Sequence, residues 1–192
     1  MSLSDREIGP DIIELCRRGD RDAFRTLYLA YKDRVYSISL YFFHGDAAAA
    51  GDATQQVFLK LITGIRQFRG DSGFSTWLYR LVVNTCTDSA RQRKSQSLIR
   101  ERSILETFPA AGSQEDESIR MQMAASVQLA VSELPAKFRL AVLLRYFEDL
   151  SYEEMAKVLN CSMGTVASRL SRGHRMLAEK LAPLKGWLRP GE

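Results

Sequence analysis

Arg80, Asn84, Thr87 and Arg91 recur at intervals of three or four residues. At about 100° per residue they fall within about 60° of arc on one side of a helix. Two guanidinium groups, an amide and a hydroxyl can neutralise phosphate and hydrogen-bond base edges. A second group has the same chemistry: Ser168, Ser171, Arg172 and Arg175, alongside Gly164 and Ala167. Small residues near a helix start let backbone approach a DNA groove, and the positive helix end favours phosphate. Each group also has a plainer reading, a solvated helix face with no ligand. Catalytic chemistry has no comparable footing. The acidic residues are dispersed, with no paired-carboxylate or His-Cys constellation. His44 and His174 lie far apart, and Cys16, Cys86 and Cys161 are odd in number, widely spaced and set among apolar neighbours. Neither a disulfide framework nor a metal site fits; small core residues do. No enzyme activity, cofactor, metal or small-molecule substrate is expected.

The elements that position these groups read as helical throughout, with no period-two strand. Ile12, Leu15 and Cys16 mark a short first helix that breaks at Gly19-Asp20. Asp20 is a good N-cap for a second, whose stripe runs Phe24, Leu27, Tyr28, Tyr31, Val35 and Ile38. Gly45-Asp46 precedes a third stretch holding Val57, Phe58, Leu61 and Ile65. FRGDSGFS is a glycine-rich loop, and Ser75 or Thr76 can cap the helix after it, roughly 76–94. There Leu78, Leu81, Val82, Thr85, Cys86 and Ser89 form the inward face, opposite the Arg80 set. From about 95 to 119 the period is lost around Pro109, Gly112 and SQEDES, which reads as a linker. Leu134-Pro135 opens a further helix carrying Phe138, Val142, Leu143 and Tyr146. Ser151 with Glu154 makes a capping box for a short helix through Leu159. Asn160-Cys161 then turns the chain, and Ser162 caps a last helix with Val166, Leu170, Gly173, Leu177 and Leu181 inward. Two short helices about a tight turn make a helix-turn-helix, with two packed helices of no DNA role as the alternative.

With 192 residues and 45% apolar content, the chain has room for two small folded domains. No run of 18 apolar residues occurs, and the start MSLSDREIGPD is not signal-like. A soluble, cytoplasmic protein without membrane insertion is expected, and no long appended domain after Leu181. The net charge of +4 is mild, but its distribution is uneven. Trp77 to Arg102 holds six basic and two acidic residues, and Met163 to Leu181 four basic and one acidic. Ser103 to Ser118 between them holds four acidic residues and no basic one. That pattern suits two nucleic-acid contacts on separate modules.

LPAKFRLAVLLRYFEDLSYEEMAKVLNCSMGTVASRL resembles region 4 of sigma factors. Response-regulator activators carry similar helix-turn-helices, so the first module matters more. FRGDSGFSTWLYRLVVNTCTDSARQRK resembles regions 2.3 and 2.4 of extracytoplasmic-function (ECF) sigma factors, and DATQQVFLKL resembles region 2.2. The resemblance covers about 11–94 and 133–181, in the family's order. It implies an all-α chain of two small helical domains: region 2 at 1–94, a flexible linker at 95–119 and region 4 at 120–192.

The resemblance also implies roles. Asp52, Gln55, Gln56 and Phe58 would meet the polymerase clamp helices. Phe68, Arg69, Gly70, Ser72 and Phe74 would hold a base flipped from the −10 element. Arg80, Asn84, Thr87 and Arg91 would lie beside the separated strand. Ser168, Ser171, Arg172 and Arg175 would face the −35 major groove, with Thr165 and Arg169 nearer the backbone. Region 4 would dock on the polymerase flap, and the linker would run towards the RNA exit path. Core RNA polymerase and promoter DNA are thus the implied partners. An anti-sigma factor, through which the protein could be held at a membrane under stress-responsive control, is a third. The chain departs from the family pattern at Gly51 and Gln56, where acidic residues are usual, and at Ala53, usually larger. Ala167 replaces a frequent Lys or Arg, and Ser171 a larger side chain. The clamp contact is therefore expected to be less charged, with one −35 contact fewer. A stand-alone regulator using only the helix-turn-helix, with the first module for dimerisation, is the competing class. It would need a ligand pocket or phosphoacceptor pattern that the first half does not show.

Overall fold

A computed structural model describes residues 8–97 and 115–183, with side chains described for 8–93 and 123–183. Four helices build the first module: α1 (Pro10–Arg17), α2 (Arg21–Phe42), α3 (Ala47–Gly64) and α4 (Phe74–Ser97). The second is built from α5 (Glu115–Ser132), α6 (Ala136–Tyr146), α7 (Tyr152–Val158) and α8 (Met163–Lys180). No strand occurs among the described residues. The all-α, two-domain expectation holds.

Local signals account for most helix starts. Asp20 accepts the Ala23 N–H and Asp46 the Ala49 N–H, each at 2.8 Å. Ser151 and Glu154 complete the reciprocal capping box. Ser162 accepts the Thr165 N–H at 3.2 Å. Each such cap satisfies donors that a helix start leaves bare and is worth about 1 kcal/mol. One start differs: α4 opens at Phe74, so Ser75 and Thr76 lie inside its first turn rather than capping it. Trp77 N–H bonds back to the Gly73 carbonyl, which lets the glycine-rich loop run straight into the helix. α5 also begins within the segment read as linker, at Glu115, and α4 continues to Ser97. The middle of that segment, 98–114, lies outside the described residues.

In module one, Leu27, Tyr31, Val35 and Ile38 of α2 pack on Val57, Leu61 and Ile65 and on Leu78, Val82 and Cys86. Tyr28, read as part of the stripe, is 47% exposed. In module two, α6 lies on α8, and α7 bridges both. Gly173 sits at the crossing of α6 and α8, where a Cβ would stand 3.2 Å from Val142 Cγ2. Its small size sets that helix spacing. Cys16 and Cys86 are buried and Cys161 half-buried, all three as free thiols. The two modules touch: α7 packs on α4, and α6 reaches α2.

Candidate nucleic-acid interface

Helix α8 has a clean division. Val166, Leu170 and Gly173 are buried, while Gly164, Ser168, Ser171, Arg172 and Arg175 are exposed and Thr165, Ala167 and Arg169 are half-buried. Arg169, Arg172 and Arg175 form no ion pair with another described residue. Three uncompensated guanidiniums on one helix give a cationic, donor-rich face. The turn before it places Asn160 at φ 48°, a left-handed conformation that asparagine tolerates. Tyr146 and His174, whose Oη and Nε2 atoms are 3.0 Å apart, tie α6 to α8 beside this face.

On α4, Arg80, Asn84 and Arg91 are exposed. Thr87 is half-buried, and its hydroxyl donates to the Val83 carbonyl at 2.6 Å. Arg91 lies 3.5 Å from Asp88. Arg80 and Asn84 are therefore the more available pair. The loop before α4 separates into support and rim. Phe68 and Phe74 are 9% and 7% exposed. Their rings stand 5.6 Å apart, edge to face, and Trp77 lies 5.5 Å from Phe68 and 5.7 Å from Phe74. This cluster pins the loop to the helix start. Arg69 and Gly70 point to solvent, with Gly70 at φ 80°, and Ser72 is half-exposed.

Asp52, Gln55 and Gln56 are exposed along α3, whereas Phe58 is 8% exposed. Phe58 stacks edge-on against Tyr28 at 4.9 Å. Together with Leu59 and Ile62 they line a shallow apolar cleft of about 450 Å³. Leu59 and Ile62 are 56% and 49% exposed. Leu59 and Ile62 are not among the site residues expected from the sequence, although they sit three apart, off the buried stripe. Arg93, 2.8 Å from Asp46 and 3.9 Å from Asp52, partly neutralises the acidic end of this surface. No group of residues suited to a metal occurs among the described residues, and no described helix is long and apolar enough to cross a membrane.

Two further charged residues were invisible to the motif reading. Arg139 and Glu148 are 3% and 4% exposed. Arg139 donates to the Phe42 carbonyl and, at 2.7 Å, to the Leu134 carbonyl. Burial lowers its pKa to about 10. Glu148 accepts from the Tyr79 hydroxyl and lies 3.9 Å from Arg34. Burial pushes its carboxyl above the ordinary value, opposed by the Tyr79 hydrogen bond and Arg34. The one sequence signal was Arg139 itself, a cation inside the apolar run FRLAVLL.

Two family models match the chain: Sigma-70 region 2 over residues 27–96, and Sigma-70 region 4 over 124–177. It is 36% identical over 187 residues to the RNA polymerase sigma-H factor of Pseudomonas aeruginosa, covering 93% of this chain and 96% of that one. It is 34% identical over 191 residues to the ECF RNA polymerase sigma-E factor of Escherichia coli K12, covering 95% and 98%. Two solved structures share the fold. The sigma factor RpoE from Bartonella quintana, in complex with the anti-sigma factor NepR, superposes with a TM-score of 0.68 at 23% identity, covering 83% and 96%. CnrH, in complex with the cytosolic domain of CnrY, gives 0.66 at 20% identity, covering 90% and 96%.

Proposed function

This chain belongs to the sigma-70 family, as an ECF sigma factor, and from that premise we propose how its two modules divide the work on a promoter. The protein binds core RNA polymerase and directs promoter-specific initiation of transcription; family membership carries that statement. The division of labour rests on one observation: each module presents its own exposed arginine-bearing helix face, on α4 and on α8. Module one takes the −10 element. Arg69, Gly70 and Ser72 form the rim against which an unpaired base is held, on the support of Phe68, Phe74 and Trp77. Arg80 and Asn84 follow the separated strand, with Arg91 and Thr87 further along. Unstacking a base costs a few kcal/mol, within reach of stacking, hydrogen bonds and phosphate attraction combined.

Module two reads the −35 element in the major groove through Ser168, Ser171, Arg172 and Arg175, with Thr165 and Arg169 on the backbone. Asp52, Gln55 and Gln56, with the apolar cleft around Phe58, Leu59 and Ile62, supply the clamp contact. Burying that cleft gives it more of the affinity than charge does, consistent with Gly51 and Gln56 standing where acidic residues are usual. One structural neighbour was solved in complex with an anti-sigma factor, which supports such a factor as a third partner here. The chain works in the cytoplasm and contributes no polymerisation chemistry of its own. Run-off transcription with reconstituted holoenzyme tests the reading. Asn84→Ala should cut open-complex formation while co-elution with core polymerase stays unchanged. Full transcription by that variant removes Asn84 from the −10 contact.

A further inference from the structure

Tyr146 and His174 stand outside the assigned DNA contacts, yet beside them. In sequence Tyr146 continues the inward stripe of α6, but it is 63% exposed. His174 is exposed next to it, its Nε2 3.0 Å from Tyr146 Oη and the two ring centroids 5.6 Å apart. The other ring nitrogen, Nδ1, makes no hydrogen bond with any described residue. No carboxylate competes for the imidazole. Its neighbours one turn away on α8, Leu170, Ser171, Leu177 and Ala178, are uncharged, and Asp149, three residues beyond Tyr146, is 3.3 Å from Arg145. A phenol hydroxyl is the better donor of the two and an imidazole nitrogen the better acceptor. Tyr146 therefore donates to Nε2, and the ring proton sits on the free Nδ1.

The place of that N–H on α8 decides what it can meet. A helix with its side chains is about 10–12 Å across, and the major groove is about 12 Å wide. The outermost line of such a helix meets base edges, while its two flanks meet the two phosphate walls, one from each strand. With Ser168 on the outermost line, Thr165 and Arg169 turn about 60° and 100° to one side at about 100° per residue. Ala167 and His174 turn about 100° and 120° to the other. One flank carries a hydroxyl and a guanidinium, the other a methyl group and an imidazole. We propose that His174 is the phosphate contact of this second flank, and that Tyr146 is the positioning residue that turns its Nδ1–H towards the DNA. The proposal rests on the reading of α8 as the −35 helix. Phosphate oxygens only accept, so the tautomer that Tyr146 selects is the one that fits. Arg169 holds one strand by charge, and His174 holds the other by a directed hydrogen bond. The −35 interface thereby extends onto α6, outside the helix-turn-helix.

Methylphosphonate interference with the reconstituted holoenzyme tests this. A promoter that the holoenzyme transcribes is made with one −35 phosphate at a time replaced by a neutral methylphosphonate, and binding is followed by fluorescence anisotropy. The wild type should lose affinity at positions on both strands. His174→Ala should bind the unmodified promoter about tenfold more weakly, the worth of a hydrogen bond to a charged group. It should also become indifferent to one methylphosphonate, on the strand opposite the one that Arg169→Ala desensitises. Tyr146→Phe keeps the ring but frees the imidazole to turn; it should show the same indifference with a loss of about threefold. Both residues are exposed, so circular dichroism should find both variants as helical as the wild type. A His174→Ala holoenzyme with wild-type affinity, or with the wild-type interference pattern, overturns the contact. A wild-type pattern for Tyr146→Phe overturns the positioning role. If Arg169→Ala and Arg172→Ala also bind as the wild type does, α8 is not at the −35 element, and the reading beneath the proposal falls instead.

Discussion

Helices α4 and α8 carry the same chemistry on different plans. α8 has two faces: Val166, Leu170 and Gly173 inward, Ser168, Ser171, Arg172 and Arg175 outward. α4 has three. Leu78, Val82 and Cys86 enter the core of module one, Arg80 and Asn84 face solvent, and Tyr79 with Val83 forms a further buried stripe. Tyr79 meets Glu148 of module two, so that third face belongs to the seam between the two modules. In the proposed division of labour one helix has a single task beyond packing, whereas the other reads and docks at once. Substitutions on α8 should therefore act locally, and those on α4 should spread.

The largest effect that can break this contrast is loss of core. Leu170 is 2% exposed, and Leu170→Ala should cost about 2–5 kcal/mol. If α8 acts locally, hydrogen exchange should show protection collapsing over 152–183 while 21–64 keeps its own. Leu78, 0% exposed on α4, should lose as much when truncated, but Leu78→Ala should loosen α7 as well. Identical exchange patterns in the two variants would erase the distinction.

DNA recognition gives the next step down. Arg172→Ala should cost about 1–3 kcal/mol on a matching −35 sequence and little on a mismatched one, the mark of a bidentate base contact. Arg80→Ala, on a face that follows strand rather than groove, should weaken all sequences alike. Competition binding with duplex and forked probes separates the two. A uniform loss for Arg172→Ala would move it from base to phosphate.

What the sequence made legible follows the same line. Helices with one buried face were readable in detail: the caps at Asp20, Ser151 and Ser162 all stand where side-chain type placed them. The outward face of α8 was readable too, because its inward stripe fixes its rotation. Misreadings arose where a residue answers to something distant. Tyr28 looks like core in α2, yet it borders the cleft with Phe58. For Phe68 and Phe74 the proposed −10 role stands, and what the glycine-rich loop did not disclose is their packing on Trp77. Tyr79, Arg139 and Glu148 carry no local signal of their partners, which lie 69 and 97 residues away in sequence. Periodicity records how a helix meets its own module, not which other module it will meet.

Smaller again is the cap that both helices share through α7. Ser151→Ala removes one half of the capping box and should cost about 1 kcal/mol. Since α7 touches α4 as well as α8, the loss should appear in both exchange and compaction. A change confined to α8 contacts would mean that the seam does not depend on α7.

The smallest effect is a response to pH, and its sign tells which side of the seam governs it. His44 lies in the left-handed turn before α3, and burial first, then the Arg139 guanidinium, holds its pKa below the ordinary 6.5. Around the same cleft stand Arg139 of α6, Asp46 at the α3 start, Arg93 of α4 and Glu133 after α5. Glu148 shifts the other way, above its ordinary 4.5. With the two modules parted (the open form) rather than packed as here (the closed form), both groups return to ordinary values. As pH falls through 6.5, the open form takes up a proton on His44 that the closed form resists, so acid favours opening. As pH falls through the raised value of Glu148, the closed form protonates first, so acid favours closure, fully once below 4.5. His44 titrates in the physiological range. The wild type should therefore expand between about pH 7.5 and 5.5, and His44→Gln should lose that expansion. Scattering radii measured across that interval decide it: if the two proteins move in the same direction, the imidazole beside Arg139 does not control the seam.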